Sequence, residues 1–111
     1  MKKLSLLIAM FIVSVMSLSA QSFEEYLELA KQGDAESQFR LAQCYDMGVF
    51  VAHDAEEAVA WYTKAAEQGH AEAQYALGTC YETGYGVTQS YADAVVWYKK
   101  AAEQGNAKAQ S

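Results

Sequence analysis

Residues 71–106 read AEAQYALGTCYETGYGVTQSYADAVVWYKKAAEQGN, and residues 35–70 read AESQFRLAQCYDMGVFVAHDAEEAVAWYTKAAEQGH. Laid over each other at an offset of 36, the two stretches are identical at 18 of 36 positions. Internal repetition on this scale means a stack of similar units, each burying its apolar face against its neighbours. The register runs outward in both directions. Tyr26, Ala30, Gln32 and Gly33 fall on Tyr62, Ala66, Gln68 and Gly69, so residues 22–34 form half a repeat ahead of the first full one. Ala107, Ala109 and Gln110 fall on Ala71, Ala73 and Gln74, so residues 107–111 open a third repeat that stops at once.

Each unit reads as two helices. In 35–70, the small and apolar residues Ser37, Leu41, Ala42, Tyr45 and Gly48 keep the three-and-four spacing of one helical face. Ala58, Trp61, Tyr62, Ala65 and Ala66 do the same in the second half. Asp34, Asp54, Ser90 and Asn106 stand where helices need N-caps, and His70 is a poorer cap in the same place. Gly69 and Gly105 stand where a left-handed residue closes a helix. Ala42 or Gly78 facing Ala65 and Ala66 lets helices approach closely, with Trp61 and Tyr62 filling the adjacent groove. Five helices are expected, near 22–32, 35–47, 54–68, 71–83 and 90–104, without strands. The chain has no proline, which suits this. The expected core is Tyr26, Leu41, Tyr45, Ala58, Trp61, Tyr62, Ala65, Leu77, Tyr81, Ala94, Trp97, Tyr98 and Ala101. Trp61→Ala is expected to cost about 3–5 kcal/mol.

The first residues are of another kind. Lys2 and Lys3 precede an apolar run from Leu4 to Leu18, and Ser19, Ala20 and Gln21 follow. Basic, apolar, small is the order of a secretory signal peptide, with cleavage expected after Ala20. Leu18, three places before that cut, is larger than the residue usually found there. The alternative is an uncleaved anchor, but the run falls short of the roughly 20 residues a spanning helix needs. The protein is thus expected to be exported, to the periplasm or outside the cell. Losing Lys2 and Lys3 takes the formal net charge from −6 to −8. Such a surface repels phosphate backbones and anionic lipid heads, so neither nucleic acid nor a membrane surface is an expected partner.

The spaced residues Ala71-Glu-Ala-Gln-Tyr75, Leu77-Gly78, Tyr81, Gly84-Tyr-Gly86-Val87, Ala94 and Trp97-Tyr98-Lys-Lys-Ala-Ala-Glu-Gln-Gly105 resemble a Sel-one-like repeat (SLR), a relative of the tetratricopeptide repeats. The resemblance covers residues 22–111, with full repeats at 35–70 and 71–106. It implies an all-α fold: a right-handed α-α superhelix, a tetratricopeptide-like solenoid of antiparallel helix pairs. It also implies a scaffold for protein–protein contacts, with the concave groove lined by the first helix of each pair. Phe50 departs from the pattern, standing where the second repeat has Gly86. Phe in a left-handed conformation is strained, so the loop near Val49–His53 is expected to be shaped differently. Certain secreted, cysteine-rich relatives are described as binding or weakly hydrolysing β-lactams, which supplies an enzymatic alternative.

Catalytic signals are missing. A serine β-lactamase needs Ser-x-x-Lys, and the chain has none. His53 and His70 have no motif around them. Glu24-Glu25 and Glu56-Glu57 read as solvated helix faces. No enzyme activity, metal or other cofactor is expected. Cys44 and Cys80 hold equivalent positions in successive repeats. Equivalent helices in a stack lie roughly 8–10 Å or more apart, and a disulfide needs Cα atoms within about 7 Å. Two free, buried thiols are therefore expected.

A binding module is the expected function. On a helical wheel with Leu41 and Tyr45 inward, Glu36, Phe39, Gln43, Asp46 and Met47 turn to the open side, as do their equivalents Glu72, Tyr75, Thr79, Glu82 and Thr83. Aromatic and Met side chains beside acids suit a protein or peptide partner with apolar anchors and basic flanks. A third reading is structural. The last helix, with Val95, Val96 and Ala102, is expected to be partly bare, which implies a longer array, self-association at this end, or marginal stability. A longer array is favoured, because the register runs unbroken into Gln110.

Overall fold

The computed structural model describes the backbone of residues 18–110 and the side chains of residues 22–105. The expected signal peptide lies outside these except for the backbone of residues 18–20. Among the described residues there are five α-helices and no strand: α1 (Leu18–Lys31), α2 (Ala35–Met47), α3 (Ala55–Glu67), α4 (Ala71–Thr83) and α5 (Tyr91–Gln110). Each helix packs on the one before it, as the 36-residue register requires of a solenoid. None of them is long and apolar enough to cross a membrane.

Local chemistry sets the helix ends. The Asp34 carboxylate accepts the Ser37 N–H at 2.9 Å, and Asp54 accepts that of Glu57 at 3.1 Å. Ser90 Oγ accepts from the Asp93 N–H at 3.2 Å. His70 caps α4 through Nδ1, which accepts the Ala73 N–H at 3.1 Å. Gly48 and Gly84 close α2 and α4 in the left-handed conformation. The expected break at Gly105 does not occur, and Asn106 is not a cap: α5 runs through both to Gln110. At Gly69 the chain turns with φ +94°, the His70 N–H bonds back to Ala65, and α4 docks alongside.

The core sits between α2, α3 and α4. Leu41 and Leu77 are wholly enclosed, with Ala58, Tyr62, Ala65 and Ala94 also buried as expected. Tyr26, Tyr45, Trp61, Tyr81, Trp97, Tyr98 and Ala101 are only partly buried. The Lys64 ammonium lies 4.4 Å from the centre of the Trp61 ring, on the outer edge of the stack. Trp61→Ala is accordingly expected to cost less than that range, which is expected instead of the wholly enclosed Leu41 and Leu77. Phe39, Val59, Cys44 and Cys80 complete the interior, both cysteines as free thiols. The two buried glutamines are satisfied alike in both repeats. Gln38 and Gln74 donate to the Ala30 and Ala66 carbonyls and accept from Gln68 and Gln104.

The loop after α2 corrects a second expectation. Phe50 has φ +69°, the same as Gly86, so the loop keeps its shape with a strained residue in it. Its ring is half exposed and meets Phe23 of α1 at 6.2 Å, a contact that offsets the strain.

Candidate functional site

Helices α2 and α4 present neighbouring faces on one side of the solenoid, and a tyrosine–carboxylate pair recurs there. The Tyr62 hydroxyl donates to Asp46 Oδ2 at 2.9 Å, and one repeat later Tyr98 donates to Glu82 at 2.6 Å. Each pair ties the first helix of a repeat to its second. A loop residue joins the first pair: Tyr85 donates to Asp46 Oδ1 at 2.6 Å. Its only proton is spent there, so its oxygen accepts from His53 Nε2–H, 2.7 Å away.

Two cavities open on this face. One, of about 390 Å³, is lined by Asp46, Tyr62, Tyr75, Ala76, Thr79, Cys80, Thr83 and Tyr85. The other, of about 660 Å³, is lined by Ala71, Glu72, Tyr75, Glu82, Tyr98, Ala101 and Ala102. Tyr75 belongs to both. It stands 63 % exposed, with its ring 5.3 Å from that of Tyr98. Among the described residues no lysine or arginine lines either cavity.

Of the ten residues expected on the open side, six line these cavities: Asp46, Glu72, Tyr75, Thr79, Glu82 and Thr83. The other four do not. Glu36 pairs with Arg40 at 3.0 Å and accepts from His70 Nε2–H, and Gln43 accepts from Arg40 at 3.2 Å. Met47 is exposed away from both cavities. Phe39 is a correction: it is core, only 4 % exposed. The His70 ring stacks on it at 4.7 Å and Tyr62 packs at 5.8 Å, so α3 and the N-cap residue of α4 cover the surface that the wheel leaves open. Sequence reasoning missed Tyr62, Tyr85, Tyr98, Cys80 and His53. The signal for two of them was present, since an acid followed 16 residues later by tyrosine occurs at the same place in both repeats.

The electrostatics of the first cavity disfavour new negative charge. Burial and the nearby Asp46 carboxylate push the Cys80 thiol up to about 11. Burial and the hydrogen bond to Asp46 push Tyr85 up to about 12, and the same causes raise Tyr62. A thiol held protonated is a poor nucleophile. The hydrogen bond from His70 holds the exposed Glu36 below the usual carboxylate range. Among the described residues no group of three or more His, Cys, Asp or Glu is placed to hold a metal ion.

A pH dependence follows. Cys80 and Tyr85 ordinarily titrate at 9.0 and 10.0. The fold prefers both protonated, so their contribution is complete below pH 9 and is lost as pH rises toward 12. The urea midpoint is expected to be level up to about pH 9 and then to fall, with Cys80→Ala softening the first part of the fall. A midpoint unchanged to pH 12 would contradict the burial of these groups.

Residues 35–70 and 71–106 each match the family model described as Sel1 repeat. No curated protein matches the chain. Among solved structures, c5321, a protective antigen of uropathogenic Escherichia coli displaying an SLR fold, is 43% identical with a TM-score of 0.71. The match covers 75% of this chain and 18% of that one. A Sel1 repeat protein from Oxalobacter formigenes is 40% identical with a TM-score of 0.73, over 74% of this chain and 63% of that one. Helicobacter pylori cysteine rich protein B shares the fold at 24% identity and a TM-score of 0.72, over 75% of this chain and 62% of that one. The chain thus spans under two thirds of the length of each.

Proposed function

This chain belongs to the Sel1 repeat family, whose members are helical scaffolds that generally mediate protein–protein contacts, and from that premise we propose that it is an exported, non-catalytic binding module. It takes a protein or peptide segment along the open face of α2 and α4. The observation that carries this reading is the pair of adjoining cavities with the exposed Tyr75 between them. An aromatic side chain presented to solvent between two recesses suits an anchor for a ligand that fills both. The acids, with no basic residue among the described lining, favour a segment with apolar anchors and basic flanks. Export rests on the basic–apolar–small order of residues 2–21. The non-catalytic reading rests on the absent Ser-x-x-Lys and the protonated Cys80.

The test is a selection of peptides from a random display library on the full chain, followed by measured affinities. Tyr75→Ala is expected to weaken the selected peptides by about tenfold or more, with the helical content unchanged because Tyr75 is exposed. Equal binding by the variant would overturn the groove assignment. One observation favours a second reading, contact through the outer face of α5. Val95 is 62 % exposed where its equivalent Val59, covered by α4, is 6 % exposed. Tyr91 and Val96 share that exposure.

A further inference from the structure

We propose that the Asp46 cavity receives the cationic end of a lysine or arginine side chain, so that the groove selects ligands carrying a basic residue at this point. This rests on the groove reading above for its peptide, and on the cavity's own chemistry for the charge.

Asp46 is the single acid lining a recess of about 390 Å³, with Tyr62, Tyr75 and Tyr85 among its walls. Every contact that the structure gives the carboxylate is a neutral one, from the hydroxyls of Tyr62 and Tyr85. Hydrogen bonds orient the carboxylate and leave its charge in place. Each oxygen keeps a further lone pair for a donor entering from the groove.

No lysine or arginine is among the described residues that line the recess. Arg40 is on Glu36, while Lys64 and Lys100 lie over Trp61 and Trp97. His53 reaches the site only through the Tyr85 hydroxyl, 2.7 Å from its Nε2. The unopposed charge is felt around it. Proximity to Asp46 is one of the causes that raise Tyr62, Cys80 and Tyr85.

A carboxylate between tyrosine rings in a partly desolvated recess attracts an organic cation in two ways. Coulomb attraction strengthens as the effective dielectric falls, and a ring quadrupole adds a contribution of its own. A hard metal ion fits less well. Calcium takes six to eight oxygen ligands, and here one carboxylate is supplemented only by hydroxyls. The aliphatic stem of lysine or arginine would lie along the exposed Tyr75, which borders both cavities.

The experiment titrates three probes into the isotope-labelled full chain, read by backbone amide NMR shifts. They are Nα-acetyl-lysine amide, Nα-acetyl-arginine amide, and the charge-neutral Nα,Nε-diacetyl-lysine amide. Both cationic probes are expected to give saturable shifts centred on Asp46, Thr79, Thr83 and Tyr85, weakening as salt is added. The neutral probe is expected to give none there. Asp46→Asn is expected to weaken the cationic probes about tenfold. Because Asp46 also ties α2 to α3, Tyr85→Phe is the second variant. It keeps the carboxylate and frees one of its oxygens, so binding is expected to hold or tighten.

Equal shifts from the neutral probe, scattered shifts from the cations, unchanged affinity in a folded Asp46→Asn chain, or loss of binding in Tyr85→Phe would each overturn the proposal. Its failure is separable from that of the groove. Peptides that need Tyr75 but no basic residue would sink the cation site alone. Cationic probes seated at Asp46 with no peptide depending on Tyr75 would sink the groove alone.

Discussion

Leu77→Ala is expected to lower stability by about 3–4 kcal/mol, enough to leave the chain marginally folded. Leu77 is 0 % exposed and lies in the cluster that joins Ala58, Tyr62 and Ala65 of α3 to Ala73 and Cys80 of α4. Truncation removes its transfer energy and leaves a cavity that two packed helices collapse around only in part. A domain this size holds roughly 5–10 kcal/mol in all. Each kcal/mol is worth about 4–8 °C in a domain of 60–100 residues, so the midpoint should fall by roughly 12–32 °C. Trp61→Ala removes a larger side chain and is expected to cost less, because part of the indole faces solvent. Thermal or urea unfolding followed by circular dichroism decides it. A loss under about 1 kcal/mol at Leu77, or a larger loss at Trp61, would contradict the core assignment.

Gly86→Ala should be nearly as severe, about 3 kcal/mol, for a different reason. A Cβ there would stand 2.5 Å from the Ala55 carbonyl oxygen and 2.7 Å from its carbon. These are backbone atoms at the start of α3, so no rotamer change relieves the overlap. The left-handed φ of +69° adds strain of roughly 1–2 kcal/mol. Gly69 separates the two contributions. It too is left-handed, but an added Cβ meets nothing within 4 Å, so Gly69→Ala should show the strain alone. Phe50, at the position equivalent to Gly86, shows that this backbone conformation is tolerated by a side chain that has room. Equal losses at Gly86 and Gly69 would mean that the loop does not seat against α3.

The repeat register made the helices and their caps legible, because it depends only on residues near one another in sequence. Asp34, Asp54, Ser90 and His70 all cap as their positions imply. The errors arose where a neighbour decides the outcome. A helical wheel drawn for α2 alone leaves Phe39 outside, yet His70, the N-cap residue of α4, stacks on it. Gly105 carries the same local signal as Gly69, yet α5 runs through it, whereas at Gly69 the chain turns and the His70 N–H bonds back to Ala65. Trp61 sits in the apolar stripe and still reaches the edge of the stack. Six of the ten residues that periodicity turns outward line the two cavities, because the wheel that fails at Phe39 holds for residues with no covering neighbour. Tyr85 was invisible: a residue between two turn glycines gives no hint that its hydroxyl reaches across a repeat to Asp46.

The open face of α2 and α4 as the binding surface is tested most directly by mapping a selected peptide onto the isotope-labelled chain. Backbone amide shifts on saturation are expected to cluster at Asp46, Tyr75, Thr79, Glu82, Thr83 and Tyr85, spanning both cavities. Shifts clustered instead at Tyr91, Val95 and Val96 would place the ligand on the bare side of α5 and contradict the account.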